Sequence, residues 1–284
     1  MSEAAALEPS AYSPGDLDRT LTAIAEGLRA GRLVAYVGPG ILPRGAAPTL
    51  PEEIAAELHK RAPAPGRIRT NMWSVAQFIE QRRHRKTLIK FMSEIFGAPV
   101  APTELHRKLA ALRTPLIVDV WYDGAMRAAL ADRADWVEIQ GITRALEHGD
   151  VWFKAYDCAG APAPLEAANA ARTLLYKPHG GVTPAQNYLV ADSDYVEVLT
   201  EIDIQTPIPD AVKLIRETRG FVFLGCRFHD QMLRTYARQI IKRSAGPHYA
   251  LVDRAVLTKN EIKFFDEIGA ILVEAPLDLL AERL

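Results

Sequence analysis

Leu33-Val34-Ala35-Tyr36-Val37 runs straight into Gly38-Pro39-Gly40-Ile41-Leu42, and the rest of the chain is read from this junction. Five apolar residues stopped by a glycine read as a short buried strand. Glycine in the turn that follows admits backbone conformations and close approaches that a Cβ would block. A strand feeding a glycine turn opens many nucleotide-binding α/β units, where backbone N–H groups meet a pyrophosphate. Tight strand-to-helix turns also use glycine for steric reasons alone, so the turn by itself supports either reading.

Upstream, Leu17, Leu21, Ile24 and Leu28 recur at helical spacing with Gly31 beyond them, which predicts a helix over 16–30. Downstream, 52–60 and 74–96 read as helices separated by a turn-rich stretch at 62–70. They predict a small helical insertion over 50–100 beside the glycine turn. The second helix carries Arg82-Arg83-His84-Arg85-Lys86, read as a solvated helix face; a nucleic-acid reading would rest on that cluster alone. Thr103 then caps a helix bearing Leu105, Leu109 and Leu112, and a strand over 115–121 leads to Tyr122-Asp123-Gly124. Strands are expected over 136–142 and 151–156, with a loop at 159–164.

From there strand and helix alternate plainly. Strands fall at 172–177, 221–224, 249–252 and 270–273, with helices at 209–219 and 230–242. A last helix opens on the capping box Thr258-Lys259-Asn260-Glu261 and closes at Gly269. Apolar strands alternating with amphipathic helices predict an α/β domain over 16–284. Its mostly parallel, Rossmann-like sheet carries helices on both faces, with the small helical subdomain inserted. Ligands of such sheets bind at the carboxyl ends of the strands. Gly38, Asp123, His179, Gly225 and Asp253 each follow a strand, so five loops are expected to frame one nucleotide-sized crevice.

Bulk properties narrow the partners. A formal charge of −1 over 284 residues gives no global field to recruit nucleic acid or an acidic membrane. No apolar run approaches the ~20 residues of a spanning helix, and residues 1–15 lack the order of an export signal, so a cytoplasmic address is expected. Cys158 and Cys226 are too few for a four-cysteine zinc site and read as small buried hydrophobes. The histidines show no metal-site spacing, and no metal is expected.

Among candidate chemical groups, His179 in Lys177-Pro178-His179-Gly180-Gly181 is the natural general base, its glycine neighbours exposing the imidazole; a turn histidine bonded to backbone is the plain alternative. Gly225-Cys226-Arg227-Phe228 follows another strand. Cys226 reads as a contact residue, not a nucleophile, with only Arg227 nearby to lower its pKa. Asp253 is placed either to bond a ribose or adenine or to cap a turn.

In this order, the glycine turn, the strand ending in Tyr122-Asp123, the strand plus His179-Gly180, and Phe223-Leu224-Gly225 with Phe228 resemble the sirtuin family. The likeness is nearest to its bacterial sirtuin-like branch, known from NAD-consuming defence proteins, and covers roughly 17–275. Lys177-Pro178-His179-Gly180-Gly181 followed by Asp194-Tyr195 is its most specific stretch. The resemblance implies NAD as cofactor, with the Gly38-Pro39-Gly40-Ile41 turn on the pyrophosphate and Asp123 near the nicotinamide ribose. It makes His179 the base, sets Gly225 and Cys226 against the dinucleotide and places Asp253 near the adenosine half. Pro39 and Leu42 replace the alanine and serine usual in the first motif. Trp121 stands where the family has asparagine, and its indole only donates hydrogen bonds and is bulky enough to fill the nicotinamide pocket.

Two functions follow from the resemblance. The first is cleavage of the nicotinamide–ribose bond of NAD, by hydrolysis in preference to protein deacylation because the paired zinc cysteines are missing. The second is a catalytically silent protein that binds NAD or an ADP-ribose derivative and acts through a protein partner. Homo-oligomerisation stays open, as does a purely structural scaffold.

Overall fold

The computed structural model describes residues 14–143, 151–195 and 208–284. Its sheet contains β1 (Leu33–Val37), β2 (Leu116–Asp119), β3 (Trp136–Gly141), β4 (Phe153–Tyr156), β5 (Pro162–Ala163) and β6 (Thr173–Lys177). After a separate hairpin of β7 (Gly180–Gly181) and β8 (Asn187–Tyr188) come β9 (Gly220–Leu224), β10 (His248–Val252) and β11 (Ala270–Glu274). The nine sheet strands run in the order β11-β10-β9-β1-β2-β6-β3-β4-β5. All neighbours from β11 to β3 are parallel; only β4 and β5 pair antiparallel, at one edge. This is the mostly parallel α/β architecture that the alternating pattern predicts.

β1 lies between β2 and β9, so the chain leaves it toward one side and returns on the other. Val37 is level with Asp119 of β2 and Leu224 of β9. The loops beginning at Gly38, Val120 and Gly225 therefore leave the sheet side by side, at the switch point where such folds bind ligands.

Alternation along β1 divides the core. Val34 and Tyr36 face α2 (Pro51–Arg61), α3 (Met72–Arg83) and α4 (Arg85–Phe96), which contribute Ile54, Leu58, Val75, Ile79, Leu88 and Met92. Leu33, Ala35 and Val37 face α1 (Pro14–Arg29) and α5 (Glu104–Ala111), with Leu21, Ile24, Leu28, Leu105 and Leu109. The helices over 51–96 thus share one apolar core with the sheet.

The helix expected over 74–96 is two helices. His84, at φ 68°, breaks it between α3 and α4. The break turns Arg85 inward, where it is 5 % exposed, and its guanidinium bonds Asp194 at 2.9 Å, Glu80 at 3.2 Å and the Tyr188 carbonyl. Arg85 is therefore a buried ion-pair residue, while the rest of the basic cluster is exposed as expected. The strand expected over 115–121 stops at Asp119, because the next residues turn to build the crevice.

Candidate functional site

The glycine turn after β1 packs directly on the loop after β9. Gly38 N donates to Leu224 O at 2.9 Å and Gly40 N to Gly225 O at 2.8 Å; Ile41 and Leu42 donate back to Gly38 and Pro39. Pro39 has no N–H, so every backbone donor of Gly38–Leu42 is already bonded within the protein. A Cβ at Gly38 or at Gly40 would come within 2.7 Å of Gly225 O. These glycines let two loops touch, which accounts for them sterically; the free N–H groups expected for a pyrophosphate are not there.

Trp121 closes the space above that junction. Its indole is 2 % exposed, and Nε1 donates to Pro48 O at 2.7 Å. Behind it Tyr122 packs at a ring separation of 5.5 Å and donates to Leu189 O. What remains between Pro39, Trp121, Cys226 and Phe228 is a cavity of about 10 Å³, room for one water at most. Among the described residues, the space directly above the glycine junction is filled by side chains.

Below Trp121 lies a buried polar cluster. Lys177 Nζ bonds Asp119 Oδ2 at 2.6 Å and the Asp123 carbonyl at 3.0 Å. Asp119 also accepts from Trp121 N at 3.2 Å, so it shapes the turn that presents the indole. Burial pushes its carboxyl up to about 6 against the pull of the lysine. The Asp123 carboxylate caps α6 (Ala125–Ala129) by accepting from Ala125 N at 2.8 Å. The motifs carried Lys177 only as the first residue of the His179 stretch, gave it no role, and passed over Asp119. The available signal was a charge inside each of two apolar strands, since a buried parallel strand tolerates a charge only with a partner.

His179 is also buried, at 2 % exposed, which corrects the expectation of a displayed imidazole. Tyr236 and Tyr195 cover it, with ring separations of 4.6 and 5.8 Å. Burial, reinforced by the charge of Lys177, pushes it down to about 3, so it is neutral near pH 7. Nδ1 meets the Tyr195 hydroxyl at 2.8 Å, and that hydroxyl also reaches Leu189 O at 2.9 Å. With the tyrosine proton on Leu189, Nδ1 donates and Nε2 keeps a bare lone pair. Nε2 has no partner among the described residues.

The loop after β9 is fastened to its surroundings. Arg227 makes a two-point contact with Glu261, at 2.8 and 3.1 Å, and Glu261 also accepts from Phe228 N and Thr258 N. Those bonds pull the Glu261 carboxyl down to about 2 despite its burial. His229 meets Glu52 of α2 at 3.0 Å, and Trp73 of α3 donates to Asp230 at 3.1 Å. Cys226 is buried, its thiol donating to Tyr36 O, and burial pushes its pKa up, away from nucleophilic use. Asp253 accepts from Ala255 N at 3.0 Å, the turn-capping role of its two readings.

Beside the closed crevice runs a groove of about 780 Å³, bordered by Pro39, Gly40, Arg44, Thr49 and Lys60. Lys60 and Arg61 there are paired with Glu57, whereas Arg44 has no ion-pair partner among the described residues. No three His, Cys, Asp or Glu side chains among the described residues converge as metal ligands, and none of their helices is long and apolar enough to cross a membrane.

Parallel sheet, switch point and paired glycine loops define an α/β protein of the Rossmann-like class. A family model of the SIR2-like domain matches residues 115–272, more than half of the chain, and the chain belongs to that family. No curated protein matches it. The family is NAD-related, but the residues present do not fit a nicotinamide ribose inside this crevice. Trp121 occupies the space, the turn donors are spent and His179 is sealed off.

Proposed function

We propose that this chain is a catalytically silent SIR2-like module that binds the ADP-ribose part of NAD, or an ADP-ribose derivative, and acts through a protein partner. The observation that carries the reading is the buried Trp121 indole, pinned to Pro48 and filling the space above the glycine junction. The groove beside Pro39 and Gly40 has a volume suited to an ADP-ribose, and Arg44 offers it an unpaired cation. The absence of paired zinc cysteines agrees with the zinc-less branch of the family and with no deacylase role.

Hydrolysis of NAD is the second reading, favoured by one feature. A buried nitrogen without a partner is costly, and His179 Nε2 is such an atom at the family's base position. Nicotinamide release and thermal stability decide between the two. The silent reading expects ADP-ribose to raise the melting temperature, Arg44→Ala to reduce that rise, and no nicotinamide from NAD. Steady nicotinamide release by the wild-type chain would replace it with the hydrolase reading.

A further inference from the structure

At the opposite end of the sheet, the entries to four neighbouring strands each supply an arginine. Arg219 precedes β9, Arg29 precedes β1, Arg113 precedes β2 and Arg172 precedes β6, and all four line one pocket of about 210 Å³. No aspartate or glutamate lines it. Asp135 lies 3.9 Å from Arg113 but is already held by Arg133 at 2.8 Å. Arg219 is fixed by bonds to Gly31 O at 2.8 Å and Ile215 O at 2.6 Å, which leave its second terminal nitrogen unused. Arg172 has no side-chain partner among the described residues.

A fifth residue argues for a ligand independently of charge. Thr114 lines the same pocket at 3 % exposed, and its hydroxyl has no hydrogen-bond partner among the described residues. Buried hydroxyls are almost always satisfied, so an orphan in the wall of an arginine-lined pocket marks a missing acceptor. Arginines at helix C-termini complement the helix dipole, and Arg29 ends α1, so the plain reading explains arginines singly. It does not explain their convergence on one concavity, nor the orphaned hydroxyl.

We propose that this pocket binds a pyrophosphate group, either as free inorganic pyrophosphate or as the diphosphate of a nucleotide. Guanidinium forks match phosphate oxygens in pairs, and those of Arg113, Arg172 and Arg219 suit a compact polyanion better than a single phosphate, the Arg29 guanidinium being bonded to the Arg283 carbonyl. A compact pocket, in place of an extended basic strip, speaks against a nucleic-acid backbone. The site lies across the length of the strands from the groove proposed for ADP-ribose and does not depend on that reading.

Calorimetric titration of the full chain with inorganic pyrophosphate, and separately with ADP, tests it. Pyrophosphate is expected to bind once per chain and to weaken with added salt. Arg172→Ala, an exposed and unpartnered site, combined with Thr114→Val, is expected to weaken it by about tenfold or more. Arg172→Lys should retain part of the affinity, and Arg44→Ala, on the other side of the sheet, all of it. ADP binding tighter than pyrophosphate, and equally sensitive to Arg172→Ala, would assign a nucleotide source. No heat at millimolar pyrophosphate would overturn the proposal. So would binding lost in Arg44→Ala but kept in Arg172→Ala, or a variant that lowers the ligand-free melting temperature without changing affinity.

Discussion

Trp121 Nε1 and the carbonyl of Pro48 lie 2.7 Å apart, tying the turn after β2 to the loop that follows the first glycine motif. The bond and the buried ring together shut the crevice, so Trp121 both supports the core and blocks the site. Trp121→Ala is therefore expected to cost about 3–5 kcal/mol, the usual toll of removing a buried aromatic, read from urea unfolding. Trp121→Asn should cost stability too, while admitting ligand and leaving an amide able to donate and accept. Under the hydrolase reading this variant releases nicotinamide, and adding His179→Ala removes the activity by roughly 10²–10⁴-fold. No release from Trp121→Asn despite NAD binding would leave His179 as a contact and not a base.

Gly40→Ala provides a test of what the glycine turn is for. Its new Cβ would sit 2.7 Å from Gly225 O, a backbone atom with little freedom to retreat. The ligand-free protein should lose about 1–3 kcal/mol, as overpacked sites do. Gly66→Ala, where no atom lies within 4 Å, is the control expected to leave stability near the wild-type value. Unchanged ligand-free melting in Gly40→Ala would return the glycine to a purely ligand-binding role.

Strand and helix alternation was legible because its cause is local: apolar spacing, the Thr258–Glu261 box, and glycines beyond helix ends. Helix α4 was not separable from α3 because apolar spacing continues across His84, and the break answers to Asp194, far along the chain. His179 read as exposed for a similar reason. Its glycine neighbours are in the sequence, but the rings that seal it come from Tyr195 and Tyr236. The bulk of Trp121 was legible because volume belongs to the residue itself. The arginine pocket was invisible, since only the strand order brings residues 29, 113, 172 and 219 together.

Acid should destabilise the fold before any carboxylate of ordinary pKa titrates. Burial pushes His106 down to about 4 and His179 to about 3, and lowers His248. Between about pH 6.5 and 4 the unfolded chain takes up protons that these folded imidazoles refuse, so stability falls as pH falls. Each histidine adds at most about 1.4 kcal/mol per pH unit. Asp119, raised to about 6, works the other way, since its folded form holds a proton that the unfolded carboxyl releases. Three histidines against one carboxyl leave a net loss on acidification. His106 Nδ1 accepts from Thr103 N at 3.1 Å, an arrangement that protonation of that nitrogen would break. His106→Gln retains an acceptor at the capping-box position and should flatten the urea-midpoint slope between pH 7 and 5. A midpoint that rises on acidification would contradict the assignment.

Lys177 and Asp119 give the sharpest test of the buried cluster, because the pair and its members should behave differently. Their 2.6 Å contact is shielded on all sides, with Lys177 2 % and Asp119 4 % exposed. Asp119→Ala leaves an ammonium in the core with only the Asp123 carbonyl as hydrogen-bond partner, and should cost about 3–5 kcal/mol. Asp119→Asn keeps the shape but can turn an amide donor toward the ammonium, so it should also destabilise. Lys177→Met leaves the Asp119 carboxyl without its counter-charge, beside the buried Asp123, and should favour protonation of Asp119. Its loss of stability should then be larger at pH 8 than at pH 5. The double variant Asp119→Leu with Lys177→Met removes both charges and should cost clearly less than the sum of the single changes. Asp119 also accepts from Trp121 N, so the single variants should loosen the indole and shift tryptophan fluorescence toward that of a wetter ring. Additive costs in the cycle, with unchanged fluorescence, would mean that the pair neither stabilises the core nor positions Trp121.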